Sequence, residues 1–166
     1  MGLFFKKKAM KKKILMVCLG NICRSPLAEG ILRHKLLVHK LDAEVDSCGF
    51  EAFHNGDRPD RRGIETAKQH GIDISGLRAR LFNPEDFDRF DHIYVMDVNN
   101  YRDVASVART KDDLKKVDFI MNLSEPGSNL AVPDPYYGGR ADFSKTYEML
   151  DKATDRLIIK LRKGEL

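Results

Sequence analysis

The chain has 166 residues, 42% of them apolar and 33% charged, which suits one domain built around a single core. Its net charge of +4 sits at the N-terminus: residues 1–9 hold three of the 29 basic side chains and none of the 25 acidic ones, and no basic stripe of the kind that binds nucleic acid follows. No apolar run approaches a membrane span, and three cysteines, an odd and low number, exclude a secreted disulfide scaffold and point to a reducing cytoplasm.

Residues 1–10 read as a basic leader without a fold of its own, ahead of a domain over residues 11–166. The leader's apolar stretch is too short for a signal peptide. Lys6 occupies the position where a myristoylation motif needs Ser or Thr, so no stable membrane anchor is expected.

Residues 14–17 form a short, fully apolar run, the pattern of a strand buried on both faces. After a loop, Ser25 and Pro26 supply an N-cap and a first-turn proline for a helix reaching about Lys40, with Leu27, Ile31 and either Leu36 or Leu37 facing inward. Residues 43–47 form a second strand, ended by Gly49. The polar loop His54-Asn55-Gly56 leads to a helix over 59–70 that stops at Gly71. Asn83-Pro84-Glu85-Asp86 opens another short helix by the same cap-then-proline logic. Residues 92–96 form a third strand, 97–110 a helix and 117–121 a fourth strand. A long Pro- and Gly-rich loop over 123–139 precedes the last helix, 141–163, whose Phe143, Tyr147, Leu150, Leu157, Ile158 and Leu161 step at helical spacing.

Four strands separated by helices imply a parallel sheet with right-handed crossovers. Such sheets bind ligands beyond the carboxyl ends of their strands, near a switch in strand order. The loop after the first strand, Asp97 and the loop over 133–137 all follow strands, so three segments can converge there.

The loop after the first strand carries the chemistry. It reads Cys18-Leu19-Gly20-Asn21-Ile22-Cys23-Arg24-Ser25-Pro26. Cys18 and Arg24 are spaced to curl the backbone around a phosphate, with Cys18 beneath the phosphorus and Arg24 closing the ring. Backbone N–H groups and the positive end of the following helix attract the anion. Gly20 and Asn21 suit the left-handed backbone angles that turn consecutive N–H groups inward. Arg24 offers a planar fork for two phosphate oxygens. The same field favours the Cys18 thiolate, the attacking form, and Ser25 can donate its hydroxyl to it. A leaving alcohol or phenol needs a proton, and Asp134, held between Pro133 and Pro135, is the best placed acid.

Together Cys18-Leu19-Gly20-Asn21-Ile22-Cys23-Arg24-Ser25 and Asp134-Pro135-Tyr136-Tyr137 resemble the two signatures of the low-molecular-weight protein tyrosine phosphatases, and the likeness runs from about Lys12 to Leu161. The resemblance implies an α/β single domain, a four-stranded parallel sheet flanked by helices on both faces (phosphotyrosine phosphatase I-like), with no metal or organic cofactor. It implies Cys18 as nucleophile, Arg24 as phosphate binder and Asp134 as general acid, then base. Leu19, Gly20, Asn21, Ile22, Cys23 and Ser25 match the phosphate-binding loop. Asn21 and Ser47 match the polar pair that holds this loop in shape, and Ser25 the hydroxyl that stabilises the thiolate. Cys23 matches a residue that traps oxidised Cys18 as a reversible disulfide. Asp97 either braces Arg24 or caps its own helix. Phe53, which stands where many relatives have tryptophan, together with Tyr136 and Tyr137, would wall a slot for a phenyl ring.

The implied activity is hydrolysis of phosphotyrosine in proteins through a phosphocysteine. The implied partners are phosphotyrosine proteins, a tyrosine kinase among them, and a monomer or weak dimer is expected. An alternative on the same scaffold is a protein arginine phosphatase, although those enzymes tend to carry threonine where this chain has Ile22. A thioredoxin-coupled arsenate reductase needs two further downstream cysteines, and none follows Cys48. A non-catalytic phosphotyrosine-binding module should have lost the nucleophile or the acid. The histidines His34, His39, His54, His70 and His92 show no metal-ligand spacing, and His54 alone stands near the slot. Arg61-Arg62, Arg78 and Arg80 read as solvated charges.

Overall fold

The structure, a computed structural model, describes residues 10–166; the leader reading over residues 1–9 lies outside the described residues. Four strands, β1 (Lys12–Val17), β2 (Ala43–Cys48), β3 (His92–Val95) and β4 (Val117–Phe119), form one sheet in the order β2-β1-β3-β4. Every pairing is parallel; Ile14 of β1 lies opposite Val45 of β2 on one side and His92 of β3 on the other. The chain passes from β1 to β2, then returns across β1 to β3. The strand order therefore reverses at β1, and the Cys18 loop leaves the sheet at that crevice.

The β1 side chains from Ile14 to Val17 are fully buried, each contributing about 1.5–3 kcal/mol relative to exposure. They alternate between two cores. Ile14 and Met16 pack with Leu27, Ile31, Leu150 and Leu157 from helices α1 (Arg24–Val38) and α6 (Arg140–Lys163); α2 (Arg61–Gln69) lies on the same face. Leu15 and Val17 pack on the other face with Phe87 and Val104 from α3 (Asp86–Arg89) and α4 (Val98–Ser106). Helices thus cover both faces, as a parallel sheet requires. Among the described residues no helix is long and apolar enough to cross a membrane.

Some local expectations change. The first helix starts at Arg24 with Cys23 at the N-cap, and Ser25 is not a cap: its hydroxyl turns toward the loop, as described below. Pro26 remains in the first turn, where its missing N–H has no helical acceptor. Leu36 is the inward leucine, while Leu37 is 76% exposed. The expected helix over 97–110 ends at Ser106. A separate α5 (Lys111–Lys115) follows, capped by Thr110, whose hydroxyl accepts the Asp113 N–H at 3.1 Å. β4 stops at Phe119, where the chain tightens into a 3₁₀ turn over Ile120–Leu123.

Candidate active site

The loop between β1 and α1 is fixed by one buried amide. Asn21 takes a left-handed backbone, φ +54°. Its Nδ2 donates to Ser25 Oγ at 2.7 Å and Ser47 Oγ at 2.9 Å, and its Oδ1 accepts the Arg80 N–H at 3.0 Å. Ser25 Oγ lies 3.0 Å from Cys18 Sγ. Ser25 already accepts from Asn21, so its own hydrogen can turn to the sulfur or to the Cys48 carbonyl, 3.5 Å away. Among the described residues, no amide N–H of residues 19–23 is spent on a protein acceptor, leaving these donors for an anion.

Gly20 departs from expectation, since it does not adopt the left-handed region. Space is tight there instead: a Cβ would sit 3.1 Å from the His54 ring and 3.5 Å from the Glu51 carboxyl. Gly49, at the end of β2, is tighter still, as a Cβ would lie 2.6 Å from the Leu19 carbonyl oxygen. That approach lets Phe50 N–H donate to the same carbonyl at 2.7 Å and ties β2 to the loop.

Arg24 is 2% exposed. Its Nη1 donates to Asp97 at 2.6 Å and to the Val132 carbonyl at 2.9 Å, and its Nη2 reaches Asp134 at 3.5 Å. Burial works against the guanidinium charge, but Cys18, Asp97 and Asp134 outweigh it and raise its pKa above the ordinary value. Arg24 Nε has no hydrogen-bond partner among the described residues, so it remains available to a phosphate oxygen. Both readings of Asp97 hold together: one oxygen braces Arg24 and the other accepts the Asn100 N–H at 2.8 Å, capping α4.

Cys18, Arg24 and Asp134 line one cavity of about 140 Å³, with Leu19, Gly20, Ile22, Cys23, Tyr136 and Tyr137. Asp134 accepts the Tyr136 N–H at 3.1 Å, which turns its carboxyl back over the cavity. Phe53 is not in this lining. It is 88% exposed and touches the cavity only through His54, at 5.0 Å between ring centres. His54 and Glu51 take the wall instead, with His54 held by Asp57 at 3.0 Å. Ser47 supports the loop from β2, outside the cavity. Cys18, Cys23 and Cys48 are free thiols. Burial, then Asp60 and Asp134, pushes the Cys23 thiol up, and burial does the same to Cys48.

Two arginines expected to be solvated are not. Arg80 pairs with Asp46 at 2.9 Å and with the fully buried Asp86 at 3.0 Å, which fixes the backbone N–H it presents to Asn21. Arg62 bonds to Asp60 and to two carbonyls of the Asp134 loop. Arg61 and Arg78 remain exposed as expected. Glu29, one turn into α1 from Ser25, is 2% exposed and faces Arg33 at 3.3 Å and the side chains of Asp46 and Ser47. Burial pushes its carboxyl up to about 7, with Asp46 adding to the shift and Arg33 opposing it.

The chain is similar to known proteins over most of its length. A family model described as low molecular weight phosphotyrosine protein phosphatase matches residues 13–165. A Synechocystis chain carrying that family's name is 43% identical, over 91% of this chain and 97% of its own length. The low molecular weight phosphotyrosine protein phosphatase of Schizosaccharomyces pombe is 41% identical, over 83% of this chain and 89% of its own. The crystal structure of a protein tyrosine phosphatase from Entamoeba histolytica superposes with a TM-score of 0.87 at 34% identity, covering 94% of this chain and 100% of that one.

Proposed function

The chain belongs to the low-molecular-weight phosphotyrosine protein phosphatase family, and from that premise we propose that it hydrolyses phosphotyrosine in proteins through a phosphocysteine on Cys18. The observation that carries this reading is the joint lining of one cavity by Cys18, Arg24 and Asp134, with Ser25 Oγ 3.0 Å from the sulfur.

The phosphate is held by the amides of residues 19–23 and the Arg24 guanidinium. Cys18 Sγ attacks phosphorus and forms the S–P bond as the bond from phosphorus to the tyrosyl oxygen breaks. Asp134, in its acid form, gives its proton to that oxygen, so a neutral phenol leaves. In the second step the Asp134 carboxylate takes a proton from water, the water oxygen attacks phosphorus, and the S–P bond breaks to return the thiolate and inorganic phosphate. Arg24 spans both steps by neutralising the equatorial oxygens. Tyr136 and Tyr137 flank the path of a phenyl ring, and the aromatic edge continues through His54 to Phe53. Phosphotyrosine proteins, tyrosine kinases among them, are the substrate class that fits. Cys23, five residues after the nucleophile and in the same lining, would form the protecting disulfide with an oxidised Cys18.

The test is hydrolysis of a phosphotyrosine peptide and a phosphoarginine peptide side by side, with Cys18→Ser as the blank. Preference for phosphotyrosine supports the reading. Preference for phosphoarginine would keep the nucleophile and overturn the substrate. Turnover of neither by the reduced protein would leave only a binding module.

A further inference from the structure

We propose that Arg62 is the positioning residue that sets Asp134 over the leaving oxygen, by tying the acid loop to the phosphate loop. The inference rests on the reading of Asp134 as proton donor.

Little else holds the acid loop. Residues 133–139 are exposed except for Pro135. Asp134 itself is restrained by the N–H of Tyr136 and by a long 3.5 Å contact from Arg24. Arg62 stands beneath the loop at the start of α2. Its Nη1 donates to the Gly138 carbonyl at 2.8 Å and its Nη2 to the Tyr136 carbonyl at 2.9 Å. The two carbonyls bracket Tyr137, three residues after the acid, so the fork grips the turn by backbone.

The other end of the clamp is equally built. Arg62 Nε donates to Asp60 Oδ1 at 3.0 Å and Nη2 to Asp60 Oδ2 at 2.9 Å. Asp60 is the N-cap of α2 and also accepts the Arg62 backbone N–H at 2.9 Å. The Asp60 N–H donates to the Ile22 carbonyl at 2.7 Å, inside the phosphate loop. The guanidinium lies 4.6 Å from the ring centre of Phe143, a fully buried side chain of α6. The path from the phosphate loop to the acid loop thus runs by hydrogen bonds from Ile22 to Asp60 to Arg62, and from Arg62 separately to Tyr136 and to Gly138. A rigid, planar, multiply bonded side chain suits this task, and lysine could not reproduce it. Arg62 is not itself part of the cavity lining and meets it through the backbone carbonyl of Tyr136, so its effect on the chemistry would pass through the acid loop that carries Asp134.

The experiment measures kcat/KM, which reports formation of the phosphocysteine, on aryl phosphates with phenols of graded acidity, for the unmodified chain, Arg62→Ala, Asp134→Ala and the double variant. Inhibition by inorganic phosphate and circular dichroism run alongside. Arg62→Ala is expected to lose roughly 10–100-fold on phenyl phosphate, the scale of a misplaced catalytic group, and under about threefold on the most acidic phenol. Its dependence on phenol acidity should steepen toward that of Asp134→Ala, with phosphate inhibition unchanged. The double variant should be no slower than Asp134→Ala. A loss uniform across phenols, or one that persists in the Asp134→Ala background, overturns the role of Arg62. An Asp134→Ala dependence matching the unmodified chain would sink the acid assignment itself, a different failure. Should Arg62→Ala not fold, Arg62→Lys, which keeps charge and stem without the fork, carries the same test.

Discussion

The two loops that close the cavity are built on opposite plans. In the phosphate loop Asn21, Cys23, Arg24 and Ser25 are buried, and bonds reach it from β2, from α4 and from the segment at Arg80. The acid loop is exposed, with Tyr137 94% accessible, and is tied down at a few atoms by Arg24 and Arg62. The difference follows from the work proposed for each. A doubly charged phosphate needs fixed donors, because donors that must reorient on binding lose much of their advantage. A proton donor needs one well-placed oxygen and a route for the leaving group and water.

Damage to the first loop should therefore remove binding and chemistry together, and damage to the second should scale with the leaving group. The largest break is Cys18→Ser, expected to reduce turnover to background while inorganic phosphate still binds by calorimetry; normal turnover would sink the mechanism. Next, Asp134→Ala should slow phenyl phosphate roughly 10²–10⁴-fold in steady-state assays and activated phenols far less. Arg24→Ala should cost about 3 kcal/mol of transition-state stabilisation and weaken phosphate inhibition; unchanged phosphate affinity would refute its place in the first loop.

Two further variants sharpen the comparison through stability. Glu29 has an ordinary carboxyl value of 4.5, raised in the fold to about 7. Between those values the folded chain keeps a proton that the unfolded chain has released. Its contribution is complete below 4.5, is lost as pH rises through 7, and is flat above. Chemical denaturation from pH 4.5 to 8 should show a fall on the order of 3 kcal/mol that Glu29→Gln abolishes. Parallel slopes in the two proteins would mean that Glu29 does not hold the proton. Asn21→Ala removes three hydrogen bonds, two of them buried, and should lower stability by about 1–3 kcal/mol in urea. An unchanged midpoint would show that the loop keeps its shape without that amide.

Much of this was legible in the chain. β1 was readable because a parallel strand buried on both faces leaves an uninterrupted apolar run, whereas β2 and β4, at the sheet edges, carry Glu44, Asp46 and Asp118; Cys18, Arg24 and Asp134 were readable because each lies in a segment that leaves a strand. The split of α4 from α5 was also written there, in Thr110 with Asp113 three residues on, a capping pattern passed over for the longer helix. Other features were not legible. Charge alone cannot separate Arg62 from Arg61, since one turns toward the acid loop and the other, 91% exposed in its side chain, meets only Glu65. The displacement of Phe53 by His54 follows from the 3₁₀ turn over Ala52–His54, in which successive side chains point about a third of a turn apart, one ring out and the next in. Asn21 was readable by residue type, but its bond to Arg80 spans 59 positions.

The three bonds of Asn21 bear on the thermodynamics of each turnover. Ordering a residue of backbone costs about 1–2 kcal/mol, and for residues 19–23 that entropy is surrendered when the chain folds. An arriving anion meets donors already in position, so its affinity is reduced only by its own lost motion and water. In the proposed role, the carboxamide of Asn21 would thus contribute both to the stability of the fold and to its affinity for phosphate.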